Sequence, residues 1–357
     1  MARARLRELG IAIGRMPTGR HNAITDVDGV LVGHTTLVHD EPRIARTGVT
    51  VVVPREGAIW NDNAFCGCFS FNGNGEMTGI PWIEESGMLG SVVGITNTHQ
   101  VGLVRDALVE YAVDNGYAKS WLLPVVAETY DGFLNDIDAF HVTKEHVFEA
   151  IASASGGVPA EGCVGGGTGM ICHDFKGGIG TSSRLVETKS GTFTIGALVQ
   201  ANYGYGARAD LRVDGVPVGR QIGPEAAPLP GTTGAGGGSI IVIVATDAPL
   251  LPVQCRRLAK RATVGLSRAG GSGHNGSGDI FLAFSTGNHV TGADEPLDVR
   301  MLPLDQIDPL FDATAEAVEE SIVNALTSAE TMTGLKGRTA HALPLDNLER
   351  VMRKYRG

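Results

Sequence analysis

The chain lacks a long apolar run: no stretch approaches the roughly 18–20 residues that span a membrane, so no membrane partner is expected. Its amino terminus, Met1-Ala2-Arg3-Ala4-Arg5-Leu6-Arg7-Glu8-Leu9, is positive but has no apolar core of about 7–15 residues behind it. It is a poor secretory signal, and a cytoplasmic setting is expected. Excess positive charge is missing too. A formal net charge of −10 argues against a nucleic-acid surface, and the short clusters Arg256-Arg257 and Lys260-Arg261 read as the solvated face of a helix. Cysteine is sparse and odd in number: Cys66, Cys68, Cys163, Cys172 and Cys255 form no disulfide framework and no zinc spacing. They read as reduced packing residues. Neither H-E-x-x-H, G-x-x-x-x-G-K-[ST] nor G-x-S-x-G occurs, which speaks against metal hydrolysis, a P-loop and an α/β-hydrolase nucleophile elbow. No metal or cofactor is expected.

What is present is core-forming material. The 357 residues are 43% hydrophobic and 19% charged, without a linker-like stretch, which favours one globular unit over residues 1–357. The 50 glycines are dispersed and mark tight turns and close backbone approaches. Strands are expected at residues 49–54, 90–95, 192–199, 240–246 and 280–285. Helices are expected from Gln100 to Tyr111, from Lys144 to Ala152 behind the N-cap Thr143, over 251–265 with Pro252 in the first turn, and over 309–326. The last carries an apolar stripe of Phe311, Ala315, Val318 and Ile322. This inventory fits sheets packed on each other and flanked by helices better than a doubly wound parallel sheet.

The most informative stretch is Gly234-Ala235-Gly236-Gly237-Gly238-Ser239, followed at once by the apolar, β-branched segment Ile240–Thr246. One hydroxyl stands where a flexible backbone meets a buried strand. Distortion of the Gly238–Ser239 peptide would let the serine attack the preceding carbonyl, and the resulting cleavage would leave Ser239 with a free α-amino group. Such a residue carries both a nucleophile and a base, whose reference pKa is about 7.7–8.0. The same glycines also fit an ordinary connector.

Other polar groups at strand ends invite similar double readings. Gly271-Ser272-Gly273-His274-Asn275-Gly276 matches G-x-G-x-x-G, but it leaves a helix and enters a strand, the reverse of a dinucleotide site. Ser277 and Asp279, two apart in extended backbone, share a face; they suit a proton relay or a turn cap. Asn202 suits an oxyanion donor or a turn. Glu128 and Tyr130, after the apolar run 122–126, suit an ammonium site and a phenol donor, or plain solvation.

Taken together, these residues resemble the family of self-processing D-aminopeptidase/esterases and β-peptidyl aminopeptidases. The resemblance runs through Thr25–His34, Asn72-Gly73-Asn74-Gly75-Glu76-Met77-Thr78-Gly79, Phe175–Arg184, Val199–Gly204, Gly238-Ser239, Ser277-Gly278-Asp279 and Ala329–Gly334. It implies an α+β fold, an αββα four-layer sandwich similar to N-terminal-nucleophile hydrolases with different connectivity. It also implies a single catalytic domain cut between Gly238 and Ser239 into an α chain, 1–238, and a β chain, 239–357. Ser239 is then the nucleophile, Ser277 and Asp279 assist proton transfer, Asn202 and Tyr130 stabilise the oxyanion, and Glu128 binds the substrate amine. The implied partner is a small peptide, amide or ester with a free amino group. The implied assembly is a homo-oligomer of processed units, a tetramer. Some members carry Glu where this chain has Asp279. Two alternatives stand beside it: an acyltransferase of the ornithine acetyltransferase kind, which normally presents threonine where this chain has Ser239, and an unprocessed binding protein.

Overall fold

The computed structural model describes residues 2–57, 59–117, 121–231, 237–292 and 295–356. Residues 234–236 of the glycine run lie outside these. In chain order the first strands are β1 (Leu31–His39), β2 (Ala45–Val53), β3 (Asp62–Ser70), β4 (Met88–Leu89), β5 (Val93–Asn97) and β6 (Val125–Thr129). The short β7 (Ile171–Cys172) and β8 (Phe175–Lys176) precede β9 (Gly178–Thr188), β10 (Gly191–Tyr203), β11 (Gly237–Thr246) and β12 (Gly276–Thr291). The two-residue strands β13 (Met332–Thr333) and β14 (Thr339–Ala340) come last. The helices are α1 (Ile80–Ser86), α2 (Val101–Asp114), α3 (Lys144–Ala152), α4 (Pro252–Arg268), α5 (Asp308–Ser328) and α6 (Leu345–Arg356).

Apolar residues on both faces of a strand require a layer on each side. On β11, Ile240, Val242 and Val244 enter a core shared with α4 and α5, while Ile241, Ile243 and Ala245 enter a second core between two sheets. Each such side chain stabilises the fold by about 1.5–3 kcal/mol relative to exposure. The six-stranded sheet runs β4-β3-β12-β11-β10-β9 and stacks on a four-stranded sheet, β1-β2-β5-β6. Helices α2 and α3 cover the outer face of the smaller sheet, and α4 and α5 that of the larger. This is the expected αββα layering.

The expected elements differ from the observed ones mainly at their ends. Strand β11 begins at Gly237 rather than Ile240, because the glycine backbone is paired on both sides: Gly238 lies opposite Tyr203 of antiparallel β10 and opposite Ser277 of parallel β12. The Gly238–Ser239 bond, where cleavage is expected, therefore lies inside the sheet. Strand β10 runs on to Tyr203, placing Asn202 within it rather than in a turn after it.

Helix α5 is not the one-sided stripe expected: residues 313–327 are buried all round. Two of its carboxylates, Glu316 and Glu320, are matched by guanidinium groups, those of the buried Arg184 and the half-buried Arg7. Arg184 Nε meets Glu316 Oε2 at 2.9 Å and Nη2 meets Glu320 Oε2 at 2.7 Å, while Arg7 Nε meets Glu320 Oε1 at 2.8 Å. No described helix is long and apolar enough to cross a membrane.

Candidate active site

Ser239 is 5% exposed and lies between two strands, opposite Asn202 of β10 and opposite Gly278 of β12. By strand alternation it shares a face with Ile241 and Ile243, so its hydroxyl points into the space between the sheets. There Oγ accepts a hydrogen bond from the Gly278 N–H at 3.1 Å. The residue before it has to be glycine. Gly238 has φ +111°, and a Cβ there would lie 2.1 Å from the Asn202 carbonyl oxygen.

Ser277 and Asp279 alternate onto the other face of the sheet. Their neighbours Phe281 and Ala283 belong to the helix-side core, and the pair lines a small pocket with Tyr203 and His274. Ser277 Oγ donates to Asp279 Oδ1 at 2.6 Å, and Asn72 Nδ2 donates to Oδ2 at 3.2 Å. Burial pushes the Asp279 carboxyl above its ordinary range, against the pull of the Ser277 hydroxyl, the Ile240 N–H and the Asn72 amide. Ser277 sits beside Gly238 in register, so this pair flanks the peptide nitrogen of Ser239 while the hydroxyl projects from the opposite face.

Asn202 is fully buried. Its Nδ2 donates to the Tyr130 carbonyl at 2.9 Å, and its Oδ1 accepts from the Ile171 N–H at 2.9 Å and the Tyr205 hydroxyl at 2.7 Å. Tyr130 thus meets Asn202 through its backbone; its side chain folds over Gly132 and stays 46% exposed.

Glu128 lies one residue before the end of β6, opposite Thr96 of β5, and β6 packs against β11. It is 3% exposed, with Oε1 accepting from the Glu76 N–H at 3.1 Å and Oε2 from the Thr98 hydroxyl. Burial raises its carboxyl above the ordinary range, while those two donors hold the shift back. Gly75 wedges between the two halves: a Cβ on it would be 2.9 Å from Gly278 Cα and 3.2 Å from Glu128 Oε1.

Asn72, Thr98, the Glu76 N–H and Tyr205 were not singled out for roles by their local sequence. Only the Asn-Gly-Asn-Gly-Glu run, glycines interleaved with amides, hinted at a backbone held tightly against another strand. Among the described residues no three His, Cys, Asp or Glu side chains are grouped as a metal site. What the arrangement offers is a hydroxyl opposite an amide with one hydrogen unclaimed among the described residues, a carboxylate across the inter-sheet space and a hydroxyl–carboxylate pair on the other face of the sheet. That set suits acyl transfer from a substrate bearing an ammonium group.

Similarity to known proteins agrees with this geometry. The model of peptidase family S58 matches residues 22–340. The β-peptidyl aminopeptidase BapA of Sphingosinicella microcystinivorans is 46% identical over 374 residues, covering 99% of this chain and 92% of the relative. Among solved structures, a β-aminopeptidase from Burkholderia sp. superposes with a TM-score of 0.92 at 50% identity, over 98% of this chain and 99% of that one. The L-aminopeptidase D-Ala-esterase/amidase of Ochrobactrum anthropi, a prototype serine aminopeptidase and a variant of the Ntn hydrolase fold, superposes with a TM-score of 0.90 at 44% identity. That match covers 98% of each chain.

Proposed function

The chain belongs to peptidase family S58 and is an aminopeptidase, and from that premise we propose that Ser239, freed by self-cleavage after Gly238, is its nucleophile. In maturation, Ser239 Oγ attacks the Gly238 carbonyl carbon and the C–N bond breaks as an ester forms, which frees the Ser239 amine; water then hydrolyses the ester to the Gly238 carboxylate and the Ser239 hydroxyl. In turnover, Glu128 holds the substrate ammonium and Ser239 Oγ attacks the adjoining carbonyl, passing its proton to its own amine. The remaining Asn202 Nδ2 hydrogen and Tyr130 stabilise the oxyanion. The leaving amine takes the proton back, and water releases the acyl group. Ser277 and Asp279 act at the Ser239 nitrogen, holding it in place and tuning its basicity.

The observation that carries this reading is the register that sets Ser239 between Asn202 and Gly278, with Glu128 across the inter-sheet space. A buried carboxylate also accounts for aminopeptidase selectivity, since an internal peptide bond would leave Glu128 desolvated and unpaired. The names of the 46% and 50% identical relatives support including β-amino acids among the residues released from short peptides, amides and esters. The five free thiols suit a reducing cytoplasm, and a homo-oligomer of processed units completes the reading.

The test combines intact mass, N-terminal sequencing and hydrolysis of α- and β-alanine p-nitroanilides. Two fragments, the second beginning at Ser239, are expected, with Ser239→Ala uncut and inactive. A wild-type chain that is active while still full length overturns the proposal.

A further inference from the structure

An amide side chain serves as an oxyanion donor only if its nitrogen end faces the reaction, and nothing in an asparagine by itself decides which end does. Here the neighbours of Asn202 decide it. The Ile171 N–H can only donate, so the atom it meets at 2.9 Å must be Oδ1. The Tyr205 hydroxyl fills the second acceptor position of Oδ1 at 2.7 Å. With Oδ1 fully engaged, Nδ2 gives one hydrogen to the Tyr130 carbonyl at 2.9 Å and, among the described residues, has one left.

Tyr205 reaches Asn202 because β10 stops at Tyr203 and Gly204, at φ +77°, turns the chain back toward the strand it has just left. Its ring is then held in a small cluster with Leu134 and Ile171, alongside Phe133 and Met332. Burial also pushes the Tyr205 phenol up from its ordinary value, against the Asn202 hydrogen bond, so the hydroxyl keeps its proton and remains a donor. A donor on Oδ1 polarises the amide and strengthens the hydrogen on Nδ2.

We propose that Tyr205 is a positioning residue for the oxyanion donor: its hydroxyl orients and polarises the Asn202 side-chain amide and touches neither substrate nor nucleophile. This rests on the oxyanion role assigned to Asn202 above. The test is a double-mutant cycle of Tyr205→Phe and Asn202→Ala on fully cleaved enzyme, with kcat, KM and melting temperature measured for each. Tyr205→Phe should lower kcat roughly 10-fold with KM within about twofold, and add nothing further in the Asn202→Ala background. Unchanged kcat in Tyr205→Phe, or a loss that multiplies with that of Asn202→Ala, overturns the proposal. If Asn202→Ala alone leaves kcat intact, the oxyanion assignment itself fails, which is a separate result. Should Asn202→Ala stay uncut, the side-chain amide nitrogen resonance of Asn202 is read in the Tyr205→Phe chain. A shifted resonance supports the proposal, and an unmoved one overturns it.

Discussion

The Gly278 N–H donates to Ser239 Oγ at 3.1 Å across a parallel pair of strands. This bond keeps the hydroxyl on the inter-sheet face, toward Asn202 and Glu128. It also separates two hydroxyls that lie close in the sheet. Ser277, one residue before the donor, points to the opposite face and bonds Asp279.

Gly238→Ala should arrest maturation. At φ +111° any Cβ is strained by about 1–3 kcal/mol, and a contact 2.1 Å from the Asn202 oxygen forces β10 and β11 apart beside the scissile bond. A denaturing gel over time should show the full-length band persisting at least ~10-fold longer than in wild type. Normal cleavage would mean that the paired backbone at Gly238 does not govern the reaction.

Ser277→Ala should lower kcat by about 100-fold with little change in KM, the scale of a lost proton-transfer partner. If the pair acts at the Ser239 amine as proposed, the loss should be accompanied by a displaced pKa on the acid side of the rate profile, where that amine loses its activity as a base by taking up a proton. A uniform drop at every pH would count against that placement.

Glu128→Gln should cut kcat/KM about 10- to 100-fold, the worth of a charged hydrogen bond, chiefly through KM. Burial raises the Glu128 carboxyl, so wild-type kcat/KM should fall, as pH drops, at a pH above the ordinary carboxylate range. Asp131, pushed up to about 7 by burial, titrates beside it and should survive as a separate step in the Gln variant. The stability sign runs the other way. A carboxyl whose folded pKa is raised destabilises the fold as pH rises through that value, so Glu128→Gln should melt no lower than wild type at pH 8.

Glu320→Gln should destabilise the fold by about 3–5 kcal/mol at pH 7, because it leaves the buried Arg184 guanidinium short of charge. Burial raises the Glu320 carboxyl, but Arg7 and Arg184 outweigh it and hold the group below its ordinary value. Its contribution is therefore present above the unfolded carboxylate value and lost as pH falls through the lower folded one. Urea melts of wild type and variant should converge in strong acid; a gap that stays constant there would refute the ion-pair account.

Much of the fold was legible locally. The continuous β-branched run 240–246 and the first-turn Pro252 located β11 and α4 to within a few residues, and helix α3 at Lys144–Ala152 matched its expected bounds. Strands β1, β3 and β9 were missed because polar or glycine residues interrupt their apolar pattern, and tertiary burial compensates for the weak local signal. Helix α5 was misread as one-sided because Glu316 and Glu320 look solvent-facing until the guanidinium groups of Arg184 and Arg7 are packed against them.

By itself the sequence determined what is local: which residues are candidates for chemistry, that Ser239 follows a glycine run and leads a buried strand, and that Ser277 can reach Asp279 two residues on. Only the tertiary structure decided which face each group occupies and what it meets there. A strand's facing is set by register against its neighbours, and a one-residue slip reverses it. For Ser239 those neighbours are Asn202 and Gly278, each more than thirty-five residues away in the chain, so no local pattern encodes the bond from Gly278 or the amide end that Asn202 presents.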